Sequence, residues 1–409
     1  MSDTAVRDQA REHFDEAVSL RRTLHQHPEQ GNELPTTRET VLEALGGLPL
    51  DISLHDTTSG FTALLTGDVP GPTILLRADM DALPLHEDTG LEFSSRDDES
   101  MHACGHDTHT AMLVAAARVL TDRRGELAGR VLFMFQPGEE GHHGARFMLD
   151  EGLLAVPDLA DGSASPVDAA FAMHITSALP TGFVATRPGP IMASADRLQI
   201  TITGRGGHAS EPYRAADPIP VACEIVQALQ TMVTRSIDVF DPSVVTIARM
   251  SAGTTNNVIP ESAEIEGTIR AVSEDTRGKV HDGIRRVVDG IAAAHGVSAT
   301  TEVEPGYPVT VNDDSFAAFA AGTATDVVGQ DRFVTLPHPV MGAEDFSYVL
   351  HEVPGTMMFL GATPHSADLA TAAPNHSNRV FFEEAAMRDG IAVYSAVALA
   401  HLARGDDGA

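Results

Sequence analysis

The sequence predicts an α/β protein in which a central mixed sheet, flanked by helices, is interrupted by an inserted ferredoxin-like α+β domain. Three observations predict it. Apolar runs of strand length alternate with helical patterns through residues 1–190. Over 191–308 the order changes to β-α-β-β-α-β. From 309 to 409 the first kind of pattern resumes, as the return of an interrupted domain would make it. A chain of 409 residues is also long for one core, in keeping with two domains.

Taken in order, "MSDTAVRDQAREHFDEAVSLRRTLHQHPE" reads as an amphipathic helix with acids among its bases. It lacks the unbroken apolar centre of a secretory signal, so the expected compartment is the cytoplasm. "SGFTALLTG" and "TILLRADMDALPL" are two strands around the turn at Pro70–Pro72, the second ending in acids. Next come the segment "MHACGHDTHTAML", the helix "THTAMLVAAARVLTD", the strand "GRVLFMFQP", the polar turn "GEEGHHGA" and the helix "ARFMLDEG". "VDAAFAMHIT" is a short strand expected to end at His174. Three strands thus carry ionisable or metal-capable residues at their C-terminal ends, where open α/β sheets place their sites.

Beyond "TRPGPI" the inserted domain begins. Its strand "ADRLQITITGRGG" precedes the helix "DPIPVACEIVQALQTMVTR", in which Cys223 is expected to be a buried small hydrophobe. Two strands, "SVVTIARMSAG" and "ESAEIEGTIRAV", the helix "TRGKVHDGIRRVVDGIAAAHG" and the strand-like "SATTEVEPGYPVTV" complete it.

A formal charge of −31 opposes binding to nucleic acid, because such affinity needs Lys and Arg to displace counterions from phosphates. Lys279 is the only lysine, which fits a coding bias towards arginine. No apolar run approaches the roughly 20 residues of a membrane helix, so no membrane partner is expected. With two cysteines, Cys104 and Cys223, a disulfide framework is excluded.

Cys104 and His106 offer a thiolate and an imidazole from one tight loop, the ligand types that borderline-soft ions such as zinc prefer. The same loop is also compatible with Cys104 as a nucleophile, His106 or His109 being its base. Glu139 and Glu140, in a glycine-bounded turn after a strand, can divide the work of metal-dependent hydrolysis: one binds the cation and the other moves protons. A solvated acidic turn is the plainer alternative. His174 and His376, each at the edge of a predicted element, are candidates of the same kind.

The ordered set "LHQHPE", "RADMDALPL", "MHACGHDTHTAML", "QPGEEGHHGA", "GRGGHAS", "TTNNVIPESAEIEGTIR", "MGAEDFSYVL" and "NHS" resembles the dinuclear-metal amidohydrolases related to aminoacylase, glutamate carboxypeptidase and succinyl-diaminopimelate desuccinylase. More narrowly, it is similar to the branch of hippurate hydrolase and the plant indoleacetyl-amino-acid hydrolases. The resemblance implies two divalent metal ions, zinc or manganese before cobalt or nickel. It makes Cys104 the ligand shared by both, His106 and His174 ligands of one, and Glu140 and His376 ligands of the other. Glu139 becomes the general base. Where the wider family has a His-x-Asp motif, this chain has Arg77 and Asp79, and where the family shares an aspartate it has Cys104.

The resemblance further implies that the inserted domain is a dimerisation and lid domain. Its His208 would reach the partner subunit's site and stabilise the oxyanion, so a homodimer is expected, with a tetramer as the larger possibility. Asn257 and Arg270 would hold a substrate carboxylate. His102 and His109 are read as supports whose ring N–H groups orient a ligand. Glu344 and Asp345 are assigned either to the cleft or to an acidic helix start. The expected activity is hydrolysis of the amide of a small-molecule N-acyl amino acid, to a carboxylic acid and a free amino acid. The alternative is a dipeptidase, a carboxypeptidase or a deacetylase of an N-acetylated diamino acid on the same scaffold.

Overall fold

A computed structural model describes residues 3–159 and 162–404. It divides into two compact units, Met1–Gly189 with Val311–Pro337 and Tyr348–Ala409, and Pro190–Thr310 with His338–Ser347. The segment His338–Ser347, given to the first domain by the sequence, therefore groups with the smaller unit.

In the larger unit a mixed sheet has the strand order Asp51–Leu54, Phe61–Thr66, Ala128–Gln136, Val69–Asp79, Val167–Pro180, Gly355–Thr363, Val184–Thr186 and Phe333–Thr335. Its central strands are parallel and buried on both faces, which is why they read as continuous apolar runs rather than alternating ones. The helices His106–Asp122 and Ala386–Arg404 pack against each other and are buried on nearly all sides. Gly390 allows that close approach, since a Cβ there would run into the Met112 side chain. Tyr394 ties the last helix to two strands: its hydroxyl donates to the Arg77 carbonyl (2.8 Å) and accepts the Met173 N–H (3.0 Å).

Two expectations need correction. The N-terminal amphipathic stretch is two helices, Asp3–Glu12 and Phe14–Gln26, broken at His13. The strand bearing His174 does not end there but continues to Pro180, because Gly355–Thr363 pairs alongside it through Thr176 and, after a shift of register, again at Pro180. The short strands Asp51–Leu54, Val184–Thr186 and Phe333–Thr335 gave no sequence signal. Each is too brief to show a period, and the first is exposed throughout. Among the described residues no helix is long and apolar enough to cross a membrane.

The smaller unit is an antiparallel sheet in the order Ser243–Ala252, Ser262–Ala271, Asp196–Thr203, Ser298–Pro305, the ferredoxin-like arrangement. Helices Pro218–Ser236 and Glu274–His295 pack on one face, where Leu198, Ile200, Ile265, Ile225, Leu229 and Ile284 form the core. Sequence sets both helix starts: the Asp217 carboxylate accepts the Ile219 N–H (3.0 Å) and the Ser273 hydroxyl accepts the Thr276 N–H (3.1 Å). Cys223 is exposed, not buried as expected. The inward stripe of its helix runs through Val221, Ala222, Ile225, Leu229 and Met232, and position 223 faces away from it.

Candidate metal centre

The sheet register brings the predicted ligands to one end of the larger unit. Asp79 pairs opposite Gln136, so the turn holding Glu139 and Glu140 begins level with Asp79. Arg77 pairs opposite Ala172, and two residues further along that strand is His174. Cys104 and His106 flank Gly105, whose φ of +91° starts the helix His106–Asp122. A Cβ there would run into Ile175 Cγ2 and meet the Phe382 ring at 2.9 Å, so only glycine fits both the dihedral and the space. His376 arrives from the C-terminal segment, its N–H donating to the Ala103 carbonyl at 2.9 Å. With His143 it is one of the two non-glycine residues of positive φ among those described, backbone strain of the kind that gathers at functional sites.

Cys104 Sγ lies 3.4 Å from His174 Nε2 and 3.3 Å from His376 Nε2. His376 Nε2 is 3.2 Å from Glu140 Oε1, which is 4.0 Å from His106 Nε2. Donor atoms of Cys104, His106 and His174 all fall within 4.8 Å of one another, as do those of Cys104, Glu140 and His376, and those of His106, Glu139 and Glu140. His174 donates Nδ1–H to the Ile175 carbonyl (2.7 Å), and burial holds its pKa well below the usual value. Its Nε2 therefore turns a lone pair towards the thiol.

The electrostatics match a cation site. Burial pushes the Cys104 thiol up. Burial also opposes charge on His106, but Asp79 and Cys104 outweigh it and raise the ring well above its ordinary value. Hydrogen bonding to Cys104 and the facing Glu140 raise His376 to about 10. His106 Nδ1 faces Asp81 (3.4 Å) and Nε2 faces Asp79 (3.5 Å), yet neither nitrogen makes a hydrogen bond among the described residues. A buried imidazole left so is costly for the protein alone, and a divalent cation satisfies it. The donor set of a thiolate, imidazoles and carboxylates fits zinc, and it also admits manganese, cobalt or nickel.

The other predicted residues lie in the smaller unit. His208 sits in the two-residue strand Gly207–His208, opposite Val258 of Val258–Ile259, and the Ala209 N–H donates to the Asn257 carbonyl (3.1 Å). His208 and Asn257 are thus neighbours on an exposed surface. The Ser210 N–H donates to His208 Nδ1 (3.1 Å), which leaves the ring proton on Nε2 as a donor. Arg270 is partly buried, which lowers its pKa, and its Nη1 is 3.5 Å from the Met341 carbonyl. Glu344 and Asp345 are buried, and Glu344 Oε1 accepts the Phe346 N–H (2.9 Å).

A profile of peptidase family M20/M25/M40 matches residues 75–400, most of the chain. The chain belongs to this family. This M20 chain is 36% identical over 400 residues to thermostable carboxypeptidase 1 of Saccharolobus solfataricus, covering 96% of this chain and 97% of that one. It is 35% identical over 393 residues to an Arabidopsis thaliana protein named IAA-amino acid hydrolase ILR1-like 2, covering 95% and 86%. Its fold matches the crystal structure of Bacillus subtilis YXEP protein, a dinuclear metal binding peptidase from the M20 family, with a TM-score of 0.79 at 34% identity, covering 96% and 99%. The M20 chain is accordingly a metal-dependent hydrolase of amide or peptide bonds with a dinuclear metal-binding site.

Around the Cys104 cluster the structure adds residues that sequence reasoning passed over. Asp81 accepts the Glu139 and Glu140 N–H groups, each at 3.0 Å, and so fixes the acidic turn. Asp107, next to His106, accepts Arg21 Nε (2.7 Å) and His25 Nδ1 (2.8 Å) in a buried network. The signals for Asp81 and for the partners of Asp107 were only a pair of acids in "DMD" and a polar face in "LRRTLHQH", which read as a strand end and a surface helix. His102 departs from its expected role. It is buried, its nitrogens have no hydrogen-bond partner among the described residues, and burial lowers it to about 3, so it orients no ligand through an N–H.

Proposed function

We propose that this chain hydrolyses the amide bond of N-acyl amino acids, releasing a carboxylic acid and a free amino acid. The observation that carries the reading is Cys104 Sγ within 3.4 Å of two imidazole nitrogens contributed by distant segments, beside the Glu139–Glu140 turn. Cys104 would be the shared ligand, His106 and His174 would complete one site, and Glu140 and His376 the other. When bound, two divalent ions polarise the substrate carbonyl and acidify water.

Glu139, its N–H fixed by Asp81, takes the proton of the attacking water. The C–N bond then breaks as Glu139 returns that proton to the leaving nitrogen. His208 offers Nε2–H to the developing oxyanion of a partner subunit, so the working form is a homodimer, with the smaller unit as its dimerisation and lid domain. The tautomer that Ser210 imposes on His208 supports this role. Arg270 and Asn257 take the substrate's free carboxylate, for which a half-desolvated guanidinium is well suited.

The similarity to an IAA-amino acid hydrolase supports an N-acyl substrate, and the similarity to a carboxypeptidase favours a second reading with a peptide in its place. The test is a panel of N-acyl amino acids and dipeptides, each run with zinc, manganese, cobalt and nickel. Turnover of N-acyl amino acids is expected. Turnover of dipeptides alone would replace the first reading with the second.

A further inference from the structure

We propose that His109 is a positioning residue that sets the geometry of one cation site, the one formed by His106 and His174, without ligating a metal itself. The inference rests on the ligand assignment proposed above.

The ring of His109 is fully buried, with centroids 5.4 Å from that of His106 and 4.8 Å from that of His174. Its nitrogen lies close enough to Asp79 and His106 to suggest a third cation cluster. Hydrogen bonding excludes that. The Ile175 N–H can only donate, and it does so to His109 Nε2 at 2.7 Å. The ring proton must therefore be on Nδ1, which donates to Asp79 Oδ1 at 2.6 Å. Both nitrogens are committed, one as acceptor and one as donor, and no lone pair remains for a metal.

Each bond leads to a ligand. Asp79, held on one oxygen by His109, is held on the other by Arg77 Nη1 at 2.7 Å, and that second oxygen faces His106 Nε2 at 3.5 Å. Arg77 is itself fixed by Gln136 Oε1 at 2.8 Å. On the other side, the Ile175 residue whose N–H reaches His109 has the carbonyl that accepts His174 Nδ1–H, the bond that turns His174 Nε2 to Cys104. A continuous chain thus runs Arg77–Asp79–His109–Ile175–His174. His109 is its middle member, and the chain approaches the other site only at one remove, where the Ile175 carbonyl also accepts Asn375 Nδ2 (3.1 Å), the residue before His376. Loss of His109 should therefore disturb the site of His106 and His174 far more than the other.

Full-length wild type, His109→Asn and His109→Gln, stripped by chelation, are titrated with Co(II) and followed by calorimetry and by the visible spectrum of the bound ion. Thermal unfolding of each stripped protein is recorded alongside. Asn retains a donor for Asp79, and Gln an acceptor for Ile175, so neither replaces both bonds. Wild type should bind two ions. Each variant should bind one ion as wild type does and the other about 10- to 100-fold more weakly, with an altered spectrum for the weakened ion. Asp79→Asn should weaken the same ion. Equal weakening of both ions in parallel with lowered unfolding temperatures, or wild-type binding by all variants, would overturn the inference alone. Failure of wild type to bind any ion would overturn the ligand assignment and the inference with it.

Discussion

The thiol sulfur of Cys104 lies 3.3 Å from Nε2 of His376, a residue 272 positions further along the chain. Bringing these atoms together takes a glycine turn before one helix and a left-handed residue, His376, in a turn of the C-terminal segment, with backbone strain there that the fold must offset. A cation bound between them would justify that cost.

Glu139 separates binding from proton transfer. Glu139→Gln should still bind two ions, since Glu140, the proposed ligand, remains and Asp81 still fixes the turn. Its turnover should fall about 10²- to 10⁴-fold, the usual worth of a positioned general base. Elemental analysis with steady-state kinetics checks both halves, and loss of the ions together with activity would make Glu139 a ligand instead.

The Cys104 thiol should be shielded while ions are bound and reactive once they are removed. Exposed Cys223 would mask the effect, so the measurement uses a Cys223→Ala background and a thiol reagent. Burial raises the Cys104 pKa, so the thiolate is scarce at neutral pH and grows above the ordinary thiol range. Labelling of stripped protein should accordingly accelerate with rising pH. A rate already flat at neutral pH would contradict the assigned shift.

Gly105→Ala should damage the ligand loop directly. The new Cβ meets Ile175 and Phe382 and forces a φ of +91° on an alanine, a cost of about 1–3 kcal/mol for the backbone before any clash is counted. Chemical denaturation should register at least that loss, and the ion affinity should fall with it.

Glu87 gives stability a dependence on acid. Burial would raise its pKa, but hydrogen bonds from His25, Ser95 and Thr89 outweigh burial and hold it at about 2 rather than 4.5. Because the folded value is the lower, its contribution is complete above pH 4.5 and disappears as pH falls towards 2. The urea midpoint of stripped wild type should exceed that of Glu87→Gln at pH 6, and the gap should close between pH 4.5 and 2. A gap constant with pH would mean that the side chain acts through packing alone.

The alternation of buried strands and helices was legible because fully covered parallel strands must be apolar along their length, as "GRVLFMFQP" is. The cluster of Cys104, His106, Glu139, Glu140, His174 and His376 was legible as residue types in family order. What held them was not. Asp81 caps two N–H groups through its side chain, and His109 joins Asp79 to the Ile175 peptide, contacts between residues far apart in the chain that leave no periodic trace. The exposure of Cys223 was missed for a different reason: an apolar helical run does not mark the edge of its own buried stripe.

The central claim is that the Cys104 cluster is a cation site for amide hydrolysis and that Cys104 is not a nucleophile. Release of free amino acid from an N-acyl amino acid, followed before chelation, after it and after re-addition of zinc or manganese, tests this most directly. Activity should vanish on chelation and return as two ions per chain are restored. Activity that survives chelation, with an acyl group trapped on Cys104, would contradict it.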